Sequence, residues 1–346
     1  MFNCFRIRAT MLSPAQSGAF IASRAKDVRI LEAGIETCTR DLVSQITDGH
    51  LDMTKMFIKT DVHPQQSDER GIDWVFFADT LNFCFWQPEE SPQYTVTYKG
   101  TTHTGYLAMC AAINRALDQN VELTSPQYFV GLDEARLGAL LLGDNNVPIP
   151  LLTERVQCLR QVGEVLRDKF SGRFSSVLAL CENSAAKLLQ IVLDNFPCFN
   201  DSAEFDGTRV SFHKRAQILV ADIWCLYEGT GVASFQDIDQ LTMFADYRVP
   251  QSLQHYGVLQ YSEQLQQHLT EDKLLVSGDI WEQEIRGCSI EAVERITGGV
   301  KAELDRRGCN SRINSILVDQ FLWGYRRKHA ELMKSFPYHK VRSIFY

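Results

Sequence analysis

Apolar residues recur at helical spacing along almost the whole of this 346-residue chain. No low-complexity stretch, long linker or fixed-period repeat interrupts them. A chain patterned this way buries its apolar stripes by packing helix on helix, which excludes a solenoid and predicts one continuous, mostly α domain. The spacing predicts helices over 16–34, 104–118, 153–170, 174–195, 209–228, 258–271, 279–297 and 311–334. Strand character is confined to the first third. Trp74-Val75-Phe76-Phe77 is a short apolar run, and Tyr94, Val96 and Tyr98 alternate with polar residues ahead of Lys99-Gly100. A small β-sheet or hairpin is therefore expected near residues 72–100, within a single domain spanning 12–346 and preceded by a short leader, 1–11.

Charge narrows the partners. Lys and Arg total 35 against 43 Asp and Glu, a formal net charge of -8. Proteins that grip duplex nucleic acid draw most of their affinity from Lys and Arg on phosphates. The balance here favours a small ligand, with no stable nucleic-acid partner. The 20 Phe, 11 Tyr and 5 Trp can fill a core and still line a pocket. Ten scattered cysteines never form C-x-x-C and mostly sit in apolar surroundings, as at Cys110 and Cys225. Buried reduced thiols account for that better than disulfides or zinc. The eight histidines lack metal-ligand spacing, so no metal is expected. No apolar run approaches the roughly 20 residues that span a membrane. Arg6, Arg8, Arg24 and Lys26, without an acid among the first 26 residues, faintly suggest a mitochondrial leader, but the helix expected from Gly18 onward makes the cytoplasm the better expectation.

Four segments carry residues suited to chemistry, and the pattern leaves two readings open for each. In Phe76–Trp86, five aromatics surround Asp79 and Asn82. Aromatic faces stack on a purine-like base while a carboxylate accepts from its N–H edge, or the segment is simply core ending in a capped turn. In Phe212-His213-Lys214-Arg215, cations open a helix whose free N–H groups suit a phosphate, or they are solvated bases. In Phe235–Tyr256, Pro250 belongs in the first turn of a helix starting at about Tyr247 to Val249, which puts Asp246 at its N-terminus. As a cap, Asp246 would contribute about 1 kcal/mol. Facing a sugar, it would stabilise the positive charge that grows on ribose as a base departs and would orient water. Finally, Asp319 lies on an apolar helix face four residues before Trp323, and needs either a ligand or an ion pair such as Arg286. Ser184-Ala185-Ala186-Lys187 fits S-x-x-K without its companion motifs, and Gly229-Thr230-Gly231 follows a helix rather than a strand.

Taken in order, WVFFADTLNFCFW, YKGTTHTGYLAMCAAINRAL, ENSAAKLL, VSFHKRAQILVADIW, TMFADYRVPQ, EIRGCSIEAVE and INSILVDQFLWGY resemble the queuosine salvage family, the queuosine 5'-phosphate N-glycosylases/hydrolases, over about 12–346. The resemblance implies a helix–hairpin–helix, DNA-glycosylase-like helical domain. It implies hydrolysis of queuosine 5'-monophosphate to queuine and ribose 5-phosphate, with no metal or organic cofactor and a small-molecule nucleotide as partner; no membrane partner is expected, and the sequence leaves the oligomeric state open, with a monomer the expectation. By matching motif, Asp246 in ADYR is the implied catalytic carboxylate and Lys214 in HKRAQ the implied phosphate ligand. Phe77, Asp79 and Asp319 would hold the base or its cyclopentenediol arm, and Tyr247 and Trp323 would shape the pocket. A DNA-repair glycosylase and a non-catalytic queuine-binding helical protein are the competing readings.

Overall fold

A computed structural model describes residues 11–52, 60–88, 90–309 and 311–346. Residues 1–10 of the expected leader lie outside the described residues. The described chain contains fourteen α-helices and three antiparallel strand pairs, a mostly α architecture with very little sheet. It forms two compact units. One comprises residues 1–51, 201–213 and 242–339, the other 52–200, 214–241 and 340–346.

The first unit is organised by α13 (Ile280–Arg306), 27 residues long, against which α1 (Pro14–Ala22), α2 (Glu32–Thr47), α11 (Val249–His255) and α14 (Ser315–Lys328) pack. Small residues let α1 and α13 cross closely. A Cβ on Gly287 would come 2.6 Å from the Ile21 side chain, and one on Gly18 would come 2.7 Å from Ile290. The helix expected over 16–34 is broken. Buried Glu284 of α13 accepts the backbone N–H groups of Lys26, Asp27 and Val28 at 2.9, 2.7 and 3.1 Å, and the chain turns there into β1 (Val28–Ile30). That strand pairs with β6 (Leu259–Tyr261), which replaces the start of the helix expected over 258–271; α12 (Glu263–Thr270) follows. The helix expected from 209 likewise begins as a hairpin, β4 (Ser202–Phe205) with β5 (Thr208–Ser211). Its turn is Asp206-Gly207, both at positive φ (48° and 71°), the dipeptide that favours tight hairpins. Strand character is thus not confined to the first third. Three-residue strands paired across more than 200 positions leave no local period to detect.

In the second unit, α3 (Glu69–Thr80) packs against α10 (Lys214–Leu226), α7 (Leu152–Lys169), α8 (Phe174–Leu178) and α4 (Gly105–Asp118). Asp68 caps α3 by accepting the Gly71 N–H at 2.9 Å. The Trp74–Phe77 run, expected as a strand, is the middle of this helix. Every residue from Trp74 to Thr80 is buried, so the helix shows no polar face and its period disappears, while Val and Phe favour strands only weakly against tertiary packing. Phe76 stacks on Phe174 (ring centroids 4.3 Å) and also meets Phe196 and Phe199. The expected hairpin is present as β2 (Thr95–Tyr98) and β3 (Thr101–Thr104), turning at Lys99-Gly100 with both residues at positive φ. The helix expected over 174–195 is two: α8, then α9 (Ala185–Asn195). Between them Glu182 and Asn183 take positive φ, and Asp237 accepts the Ala185 N–H (2.6 Å), the Ala186 N–H (3.2 Å) and the Ser184 hydroxyl (2.7 Å), founding a new helix start. Short helices α5 (Pro126–Phe129) and α6 (Glu134–Leu140) pack on α7. The nine described cysteines are all free, and eight are buried.

Candidate active site

The seven candidate residues fall into two groups, one in each unit. Asp246, Tyr247, Asp319 and Trp323 belong to the first unit; Phe77, Asp79 and Lys214 belong to the second.

In the first group, an irregular segment, 241–248, delivers Asp246 to α11. The segment is pinned at successive residues. The buried Asp319 carboxylate of α14 accepts the Phe244 N–H at 3.0 Å. The Arg286 guanidinium of α13 donates to the Ala245 carbonyl at 2.9 Å. Asp246 then accepts the N–H groups of Arg248 and Val249 on one oxygen, Oδ1, at 2.8 and 2.9 Å. This satisfies two of the orphan donors that open α11, and Pro250 sits in the first turn as the sequence predicts. Oδ2 accepts no hydrogen bond among the described residues, and the side chain is only partly exposed. The carboxylate is therefore fixed by one oxygen with the other left available.

Arg286 has buried acids of its own beside it. It forks onto Asp201 at 3.0 and 2.5 Å, lies 3.5 Å from Glu282, and stacks 4.1 Å over Phe212. Charge-assisted bidentate pairing of this kind fixes geometry as well as charge. Tyr247 is buried and stacks on Tyr338, with ring centroids 5.5 Å apart, and the Arg248 guanidinium lies 4.1 Å over Tyr338. Trp323 is partly exposed and carries the Arg327 guanidinium 4.9 Å over its ring. Burial, and then the nearby Arg248, hold the Arg326 guanidinium down at about 10.

In the second group, Asp79 is on the last turn of α3, wholly buried. Its Oδ1 accepts from the Asn82 side chain at 3.2 Å, while Oδ2 has no hydrogen-bond partner among the described residues. Burial, and then the neighbouring Asp222 of α10, push its carboxyl well above the usual carboxylate range. Asp222 itself is pushed up to about 7 by burial, with Lys214 opposing. Lys214 is the buried first residue of α10, and its Nζ donates to the Asn82 carbonyl at 3.3 Å. Arg215, its neighbour, is buried as well. It holds the end of α3 through the carbonyls of Asp79 (3.2 Å) and Thr80 (2.6 Å), and also reaches the Cys198 carbonyl. Arg155 of α7 does the same for Leu81, Phe83 and Cys84. Two buried arginines thus shape the loop after α3. Phe77 has no exposed surface and packs on Phe129.

Asp222 and Arg286 were not among the candidates for the site. Asp222 is a lone acid in the apolar run Leu219-Val220-Ala221-Asp222-Ile223-Trp224, the same signal that singled out Asp319. A groove of about 1070 Å³ in the second unit, lined by residues such as Asp73, Trp74, Asn114 and Gln127, includes none of the seven candidates. Among the described residues no group of three His, Cys, Asp or Glu side chains is placed to hold a metal, and no helix is long and apolar enough to cross a membrane.

A family model described as "Queuosine salvage protein" matches residues 62–346. The chain belongs to the queuosine salvage protein family. Curated relatives agree with that membership over nearly their whole length. The chain is 42% identical over 337 residues to a Mus musculus protein named queuosine 5'-phosphate N-glycosylase/hydrolase, covering 97% of this chain and 99% of that protein. It is 42% identical over 340 residues to the Bos taurus protein of the same name, with the same coverage. A Schizosaccharomyces pombe protein of that name is 34% identical over 352 residues, covering 96% of this chain and 99% of that protein.

Proposed function

We propose that this member of the queuosine salvage family hydrolyses the N-glycosidic bond of queuosine 5'-phosphate, giving queuine and ribose 5-phosphate and so returning queuine for tRNA modification. The observation that carries the reading is near-full-length identity to proteins named for that activity, from mammals to yeast. Residues 12–346 act here as one functional domain, a reading supported by a single family model with matched residues in both compact units. The substrate is a small nucleotide, and the cytoplasm is the proposed compartment.

Asp246 is the proposed catalytic carboxylate. Two backbone N–H groups fix one of its oxygens and leave the other for the ribose, where a preorganised negative charge stabilises the developing cation and orients water. Its place at the start of α11 also supports the likeness to helix–hairpin–helix DNA glycosylases. Queuine is a 7-deazaguanine, so protonation at N7 cannot help the base depart; cation stabilisation and hydrogen bonds to the base must do that work. Of the two acids offered for the base, Asp319 suits the role better, because it already holds the Asp246 segment. Lys214, opening α10, is the proposed phosphate ligand, with Asp79 beside it. Tyr247 and Trp323 are the proposed pocket-shaping residues of the first group, and Phe77 is a proposed base contact of the second.

Incubation with queuosine 5'-phosphate, with GMP and with duplex DNA containing damaged bases tests the reading. Free queuine is expected from the first substrate alone. Base release from DNA only, or binding of queuosine 5'-phosphate without cleavage, would overturn it in favour of a repair glycosylase or a binding protein.

A further inference from the structure

Three guanidiniums of the first unit gather at the start of α11 and the end of α14 without a carboxylate to receive them. Arg248 precedes α11, and Arg326 and Arg327 lie on the last turn of α14; all three are partly buried. The arrangement is built around the buried side chain of Gln251. Its amide nitrogen donates to the carbonyls of Met333 and Phe336 at 3.0 and 2.6 Å, which commits its oxygen to the other side. That one oxygen accepts from Arg248 Nη1 at 3.1 Å and from Arg326 Nε at 3.2 Å. Two cations therefore meet on a single neutral acceptor. Aromatic faces orient the guanidiniums further: Arg248 lies 4.1 Å over Tyr338 and 5.1 Å over Tyr247, and Arg327 lies 4.9 Å over Trp323. Among the described residues none of the three makes a salt bridge, and each planar fork keeps N–H donors to spare.

The last turn of a helix favours cations, which accounts for Arg326 and Arg327 on α14. It does not account for Arg248, which sits where a helix begins, nor for two arginines on one amide oxygen. The cost is repulsion: burial, and then Arg248, lower Arg327 as they lower Arg326. Guanidinium forks with free N–H groups and no carboxylate match the oxygens of a phosphate, whose charge would relieve that repulsion. We propose that Arg248, Arg326 and Arg327 form a binding site for a phosphate monoester, in the first unit and independent of Lys214. Three cations suit one dianion, whereas a nucleic-acid backbone needs many phosphate contacts, and the chain carries a net charge of -8. The site stands on contacts within one unit and does not depend on the hydrolase reading.

Calorimetric titration with inorganic phosphate and with ribose 5-phosphate tests this, in the full chain carrying Lys214→Gln so that the proposed substrate-phosphate ligand is absent. One site is expected for each anion, and none for ribose itself. Adding Arg326→Met or Arg327→Met, which keeps the apolar stem and removes the charge, should weaken ribose 5-phosphate by about tenfold or more. Thermal unfolding separates binding from structure. Without phosphate, Arg326→Met should melt at or above its parent, because a repelling charge is gone; in excess phosphate it should melt below it. No anion binding by folded Lys214→Gln protein, unchanged affinity in the Met variants, or an Arg326→Met protein that melts lower by the same margin with and without phosphate each overturns the proposal. So does tighter binding of a single-stranded RNA oligonucleotide than of ribose 5-phosphate at physiological salt, which would make the cluster a nucleic-acid surface. Should Lys214→Gln fail to fold, the wild-type chain gives the same answer by stoichiometry, two phosphates per chain falling to one with Arg326→Met.

Discussion

The acids of the two groups differ in how they are supplied with donors. Asp246 accepts two backbone N–H groups, Asp319 accepts the Phe244 N–H, and Asp201 and Glu282 both lie against Arg286. Asp79 receives one side-chain amide, leaving a buried oxygen bare, and shares a single opposing ammonium with Asp222. The first arrangement holds carboxylates in place through the hydrogen bonds they accept. The second makes carboxyls that readily take a proton. The same side chain serves two purposes according to what surrounds it.

Four substitutions break or sharpen that contrast. Asp246→Asn preserves an acceptor for the Arg248 and Val249 N–H groups but removes the charge. Queuine release should fall by roughly a thousandfold or more with a nearly unchanged melting temperature, measured by single-turnover assay and thermal unfolding. Arg286→Met removes the bidentate cation of buried Asp201 and the guanidinium beside Glu282, a loss of about 3–5 kcal/mol by denaturant unfolding. A near-neutral result would mean the charges of the first group are not held as described. Asp319→Ala frees the Phe244 N–H, at a cost of about 1–3 kcal/mol in stability, and kcat should fall more than KM rises because Asp246 loses its footing.

Asp222→Asn should give the smallest change, with the opposite sign. Asp222 titrates at about 7 when folded and near 4 when unfolded, so the folded state binds the extra proton between those values. Its contribution is present below pH 4 and is lost as pH rises to 7. Removing it should therefore leave stability unchanged at pH 4 and raise it by about 1–2 kcal/mol at pH 8, a figure discounted for partial exposure. Equal stability at both pH values would remove the strained acid from the second group.

Some of this was legible in the residues alone. Pro250 belongs in a first helical turn, which puts the start of α11 at about Tyr247 to Val249 and makes Asp246 a helix-opening acid. Lys99-Gly100 gave its hairpin for the same kind of reason, a local backbone requirement that few residues meet. Asp206-Gly207 carries an equal signal, masked in the sequence by the helical pattern around it. The aromatic run at Trp74–Phe77 could not be placed, because a helix buried on every side has no periodic face to reveal it.

What the chain determined by itself is its class, mostly helical and acidic, and which side chains open its helices. These depend on steric and hydrogen-bonding rules that act within a few residues. Only the tertiary structure decided that Arg286 forks onto Asp201, that Asp319 holds the Phe244 backbone, and that Asp222 is a charged neighbour of Asp79. A buried charge takes whichever partner the packing brings within reach, and those partners lie tens of positions away in the chain. Sequence spacing can nominate an acid, but the company it keeps, and so whether it stays charged, is settled by the fold.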